Sequence, residues 1–169
     1  MMKKHIALAA SLLLTAVLPA PLLAKDVQKG PIKIERPWSR ATPGGAKVGG
    51  GFLKITNTGA TPDRLVSAAT DVSNVSEIHE MKMVDGVMKM RALGDGIALP
   101  PGKTVELKPG GYHLMFMDLK TPLVKDKPFK VKLVFEKAGE IDVEFAVAPI
   151  GAKSSSGGSG GAGHGHHKH

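Results

Sequence analysis

Between residues 31 and 149 the chain nowhere holds the 3.6-residue apolar period of an amphipathic helix over a useful length. It carries short runs of β-branched and apolar residues instead, at 32–35, 48–57, 64–69, 76–83, 87–91, 104–107, 112–118, 129–135 and 141–147, separated by Gly, Pro, Asn and Asp. Many short strands at this spacing argue against a helical bundle and predict an all-β fold, an antiparallel β-sandwich of Greek-key type. Two connections show their turn chemistry directly. Asp85-Gly86 reads as a tight hairpin, and Pro109-Gly110-Gly111 turns the chain into the strand that starts at Tyr112.

The ends of the chain differ in kind from this body. Lys3 and Lys4 precede an apolar run from Ile6 to Val17, and small Ala24 stands before Lys25 and Asp26. This is the pattern of a secretory signal peptide over residues 1–24, too short in its apolar part for a bilayer span of about 20 residues. Cleavage near Lys25 leaves an exported, periplasmic protein with no stable membrane insertion. Residues 25–150 then form the β-sandwich domain. From Gly151 to His169 only Gly, Ala, Ser, Lys and His occur, the composition of a disordered, flexible tail.

Cysteine is absent, so in an oxidising compartment the fold rests on its core alone. The same absence excludes thiolate nucleophiles, cysteine-type zinc sites and blue-copper electron-transfer centres. The formal net charge is +8, and residues 1–24 contribute Lys3 and Lys4 with no acid. Lys120, Lys125, Lys127, Lys130, Lys132 and Lys137 form a denser basic group, read first as a solvated face and second as a surface that steers an acidic partner. One Trp and one Tyr are too few stacking aromatics for a single-strand nucleic-acid binder, so nucleic acid is not an expected partner.

The chemistry-bearing residues are unevenly placed. Beyond the leader, every methionine (Met81, Met83, Met88, Met90, Met115, Met117) lies between residues 81 and 117, the stretch that also holds or adjoins the only two histidines of the body, His79 and His113. Methionine used as general core filler would be scattered. Strand side chains alternate faces, so His79, Met81 and Met83 share one face, and His113, Met115 and Met117 share another. Tyr112, Leu114 and Phe116 are assigned to the core, and Met88 and Met90 lie on the return strand of the hairpin. Taken singly, Met83, Met88 and Met117 read as packing or surface residues. His113, Met115, His79 and Met90 together read as a site. Thioethers with imidazoles suit Cu(I), whereas Ca²⁺ and Mg²⁺ prefer oxygen ligands.

Three further segments stand out: Pro37-Trp38-Ser39-Arg40-Ala41-Thr42-Pro43, Gly49-Gly50-Gly51-Phe52-Leu53 with Asn57-Thr58-Gly59, and Pro109-Gly110-Gly111-Tyr112-His113-Leu114-Met115. Through them residues 31–148 resemble the periplasmic PCuAC copper chaperones. The family's metal pattern is a His, a Met and then His-x-Met. Here ten residues separate His79 from Met90 and twenty-two separate Met90 from His113, a second gap one residue longer than the pattern. The resemblance thus implies His79, Met90, His113 and Met115 as Cu(I) ligands, with Met88 the alternative to Met90 and Met81 a further candidate. It also implies a cupredoxin-like fold and copper delivery to the dinuclear copper centre of cytochrome oxidase, by contact with the copper-receiving subunit or another assembly protein.

In the tail, His164, His166, His167 and His169 put four imidazoles within six residues. Imidazole accepts Cu(II), Ni(II) and Zn(II), with Cu(II) bound most tightly. A purification tag and loose metal scavenging are the plainer readings of the tail. The sharper one is a Cu(II) site whose Gly/Ser linker, with a reach on the order of 20 Å, can bring it to the body site. The expected protein is a monomeric metallochaperone. A copper buffer for tolerance with no specific recipient is the alternative. An enzyme is not expected, because no cysteine pair or Ser/His/Asp arrangement is evident.

Overall fold

The computed structural model describes residues 24–155, so the leader, apart from Ala24, and the tail histidines lie outside the described residues. Eleven strands and no helix make up the described chain: β1 (Val27–Lys29), β2 (Ile32–Arg40), β3 (Val48–Asn57), β4 (Asp63–Ala69), β5 (Ser73–Val84), β6 (Val87–Ala92), β7 (Ile97–Leu99), β8 (Thr104–Leu107), β9 (Tyr112–Leu119), β10 (Phe129–Phe135) and β11 (Gly139–Ala148). Hydrogen bonding runs in the order β6-β5-β9-β8-β3-β2-β11-β10-β4-β7, with β1 beside β2 and β9 also paired to β3.

One strand turns this ribbon into a sandwich. The first part of β11 runs antiparallel to β10, from Phe135↔Gly139 to Phe129↔Phe145. Its last residues run parallel to β2, from Ala146↔Trp38 to Ala148↔Arg40. β11 therefore passes from one layer to the other, and the layers close on a shared core. Ile34, Ile55, Leu114 and Phe116 from one side meet Leu65, Val131, Leu133 and Phe145 from the other, all fully buried. The Phe116 ring packs edge-on against Phe129 and Phe145, with centroids 5.5 and 6.1 Å away. The expected all-β, cupredoxin-like sandwich is what forms. Within its largely antiparallel pairing, β2–β11 and β8–β9 are parallel.

Two features of β2 and β3 shape the surface above this core. Pairing jumps from Glu35↔Lys54 to Trp38↔Phe52, with Arg36 at φ 50°. This bulge absorbs Pro37, which has no N–H to give to a ladder, and lets β2 continue to Arg40, beyond the expected end at residue 35. Arg36 N–H, turned out of the ladder, donates to Asp26 Oδ1 at 3.1 Å. Gly51 faces inward, where a Cβ would stand 2.9 Å from the Phe116 ring and 3.0 Å from Phe145. Glycine there is what allows β3 to close on the aromatic core. β1 and β7, three residues each, are too short to show a period in the sequence.

Candidate metal centre

β9 lies between β5 and β3, and the register of its two ladders assembles the site. On one side His79↔His113, Glu77↔Met115 and Val75↔Met117 are directly opposed. On the other, Met115 faces Gly50 and Met117 faces Val48. Across the β5–β6 hairpin, Met81 opposes Met90 and Met83 opposes Met88. Directly opposed residues of an antiparallel pair share a face. His79, Met81, Met83, Met88, Met90, His113, Met115 and Met117 therefore all stand on the outer face of this layer, while Ile78, Leu114 and Phe116 fill the core behind it.

A cleft of about 250 Å³ opens on that face, lined by His113, Met115, Met81, Gly50, Phe52 and Arg40 among others. Its floor follows from glycine and stacking. Gly50 sets no side chain against Met115, and an added Cβ would come within 3.2 Å of the Phe52 ring. Phe52 is held by Trp38, centroids 4.7 Å apart, and by the Arg40 guanidinium 5.6 Å above its own centroid. Trp38 thus packs against the floor of the cleft, and Tyr112 packs against the core.

The two imidazoles stand side by side, and His113 lines the cleft. Their centroids are 5.7 Å apart, and both residues are buried, at 8% and 7% exposure for His79 and His113. His113 Nδ1 lies 3.0 Å from the Gly111 carbonyl. A carbonyl only accepts, so Nδ1 carries the proton and the Nε2 lone pair is left for a ligand. His79 is held the opposite way. Its Nε2 is 2.7 Å from Glu77 Oε2, so Nε2–H donates to the carboxylate and Nδ1 keeps its lone pair. Among the described residues, His79 Nδ1 is the one buried side-chain polar atom without a hydrogen-bond partner. A buried acceptor left this way costs free energy unless something binds it. A soft cation between the rings fits that orphaned atom and the thioethers beside it. No cluster of three or more His, Cys, Asp or Glu side chains that could hold a metal occurs among the described residues, and it is the thioethers near the two imidazoles that make this donor set soft.

The sequence-predicted residues separate here. His79, His113 and Met115 come together. Met81 rather than Met90 lines the cleft, and Met90 stands directly across from Met81 on the edge strand at 48% exposure. Met88 is exposed near the hairpin tip. Sequence reasoning missed Glu77, although its place two residues before His79 puts it on the same face of a strand. It also missed Gly50, Phe52 and Arg40, whose roles depend on the β3–β9 register.

The sequence profile of the LpqE-like lipoprotein family matches residues 32–147. A protein of Leifsonia xyli subsp. xyli, "Putative lipoprotein Lxx21020", is 30% identical over 118 residues, 70% of each chain. Among solved structures, the apo PCuAC domain from PmoF1 is 31% identical with a TM-score of 0.62, covering 73% of this chain and 98% of that domain. The copper-bound PCuAC domain from PmoF2 is 29% identical with a TM-score of 0.61, covering 73% and 97%. The apo protein DR1885 from Deinococcus radiodurans, 20% identical with a TM-score of 0.57 over 89% of this chain and 99% of its own, shares the fold. With the matched profile spanning most of the chain and the sandwich common to these domains, the protein belongs to the LpqE-like, or PCuAC, family.

Proposed function

We propose that this protein is an exported, non-catalytic copper chaperone that holds Cu(I) between His79 and His113. Met115 and the Met81–Met90 pair complete the donor set. The observation that carries the reading is the pair of opposed, buried imidazoles whose free lone pairs, Nδ1 of His79 and Nε2 of His113, are set by Glu77 and by the Gly111 carbonyl. Imidazole and thioether bind Cu(I) as neutral donors. Tight, closed coordination by thiolate is absent, and the cleft stays open on one side, an arrangement suited to release as well as capture. The copper-bound PCuAC domain from PmoF2 supports the choice of metal.

The recipient we propose is the copper-receiving subunit of cytochrome oxidase, at its dinuclear copper centre, or another copper assembly protein. The histidines His164, His166, His167 and His169 are proposed to capture Cu(II). Their approach to the body is supported by where the described chain ends: the Ala152 carbonyl accepts from Arg40 Nε at 2.6 Å, and Arg40 lines the cleft. Anaerobic Cu(I) titration with X-ray absorption tests the body site. One equivalent with mixed nitrogen and sulfur scattering, lost in His113→Ala and Met115→Ala, is expected, and absence of stoichiometric binding rejects it. Loss of oxidase assembly at low copper in cells lacking the protein is expected of a chaperone. Unchanged assembly would leave the buffer reading in its place.

A further inference from the structure

Beyond the His79–His113 centre, the β5–β6 hairpin carries a second row of soft donors. Met81↔Met90 and Met83↔Met88 are consecutive same-face pairs on it. Opposed side chains stand close enough to interact, and diagonal ones remain within reach of a long side chain such as Met. The reverse face of the hairpin is charged. Lys82 opposes Lys89, and Glu80 pairs with Arg91 at 2.7 Å. One face thus carries charged pairs beside Val84 and Val87, and the other carries four thioethers on two consecutive rungs.

These methionines are not core filler. Met83 is 57% exposed, Met88 47% and Met90 48%, and every residue of β6, the edge strand, is exposed. None belongs to either buried cluster. A two-residue turn, Asp85 at φ 51° and Gly86 at φ 76°, holds the strands in register at the tip. From that tip inward the rungs read Met83–Met88, Met81–Met90, then His79–His113. Along β5 exposure falls on the same path, from 57% at Met83 to 8% at His79, and His113 opposite it is 7% exposed.

We infer that Met83 and Met88 form a second Cu(I) site at the hairpin tip, next to the Met81–Met90 pair of the first, through which copper enters and leaves the buried histidine centre. The inference rests on the histidine centre being the Cu(I) site. Copper remains Cu(I) throughout. Each step replaces a neutral thioether by another thioether or by a neutral imidazole, and no proton or electron is exchanged. The gradient supplies the direction: an exposed all-thioether site is met first by an incoming donor, and imidazole nitrogens with buried lone pairs hold the ion at the end of the path.

The test uses the mature chain, residues 25–169, with the methionine methyl groups labelled for NMR and Cu(I) added anaerobically to two equivalents. Separate signals from Met81, Met83, Met88, Met90, Met115 and Met117 keep the tail histidines out of the readout. Shifts at Met83 and Met88 are expected in addition to those at Met115 and Met81. In the double variant Met83→Leu/Met88→Leu, which nearly conserves volume, Met115 still responds, but its response to Cu(I) delivered as a chelator complex slows about tenfold, a ~1.4 kcal/mol higher barrier. Met83 and Met88 signals unmoved through two equivalents, or an unchanged rate in the double variant, would overturn the inference. Failure of the histidine centre itself has a different signature, an unmoved Met115 signal.

Discussion

The outer faces of the two layers are backed by one core, yet they are built from different residues. On β10 and β11 the outward positions are Lys130, Lys132, Glu140, Asp142 and Glu144, alternating with buried Val131, Leu133, Ile141 and Val143. Lys132 and Glu140 meet there at 2.7 Å. That is the alternation expected of a sheet with one solvated face. On β5 and β9 the outward positions are Val75, Glu77, His79, Met81, Met83, His113, Met115 and Met117, of which only Glu77 is an acid. Nothing in sheet packing asks for thioethers on a face that water reaches. The departure from polar alternation marks where the protein meets its ligand, and it separates residues kept for folding from residues kept for binding.

The sharpest way to break that separation is to remove an imidazole. His113→Ala is expected to abolish stoichiometric Cu(I) binding while the sandwich still folds, at a stability loss of about 1–3 kcal/mol. Chelator competition and thermal melting on the same sample would measure both. If binding survived, the outer face of β9 would be no more than a packing surface. The inner face should behave in the opposite way. Gly51→Ala drives a methyl group to within 3.0 Å of the Phe116 and Phe145 rings, an overpacking expected to cost about 1–3 kcal/mol with Cu(I) affinity retained in the molecules that fold.

A smaller effect is expected where one residue touches a ligand but not the metal. Glu77 fixes the His79 tautomer through its 2.7 Å contact. Glu77→Leu should weaken Cu(I) binding by roughly 10–100-fold, and Glu77→Gln, which keeps an acceptor oxygen, should weaken it less. Nitrogen NMR of the apo protein supplies the independent readout. In wild type the His79 proton belongs on Nε2, and in Glu77→Leu the tautomers should mix. An unaltered tautomer in that variant would show that the ring is set by packing alone.

The strands were legible because β-branched runs punctuated by Gly, Pro, Asn and Asp are a local signal, and all nine expected runs form strands. The metal-bearing window was legible for a similar reason. Confinement of the body's Met and His to 79–117, with a period of two, needs no knowledge of distant contacts. What could not be read was long-range register. That Gly50 faces Met115, that Phe52 floors the cleft, and that Met81 rather than Met90 lines it all follow from β9 docking between β3 and β5, strands remote from one another in sequence. The run of β2 past Pro37 was hidden too, because a bulge at Arg36 is a property of the pairing rather than of the residue.

The weakest perturbation belongs on the charged layer, where the comparison predicts almost nothing. The Lys132 ammonium, by its hydrogen bond and its charge, holds the Glu140 carboxyl below the usual carboxylate range, and Glu140 in turn raises Lys132. A depressed carboxyl contributes stability above its unfolded-state value, lost as pH falls through the folded-state value. A raised ammonium contributes below the ordinary lysine range, and that part is lost as pH rises through its folded-state value. Both groups are exposed and screened by water and salt. Glu140→Gln should therefore flatten the acid limb of the stability profile by an amount near the error of a thermal melt, and leave Cu(I) affinity at neutral pH unchanged. A clear loss of copper binding in that variant would mean that the two outer faces are coupled through the core, and the division of labour between them would fail.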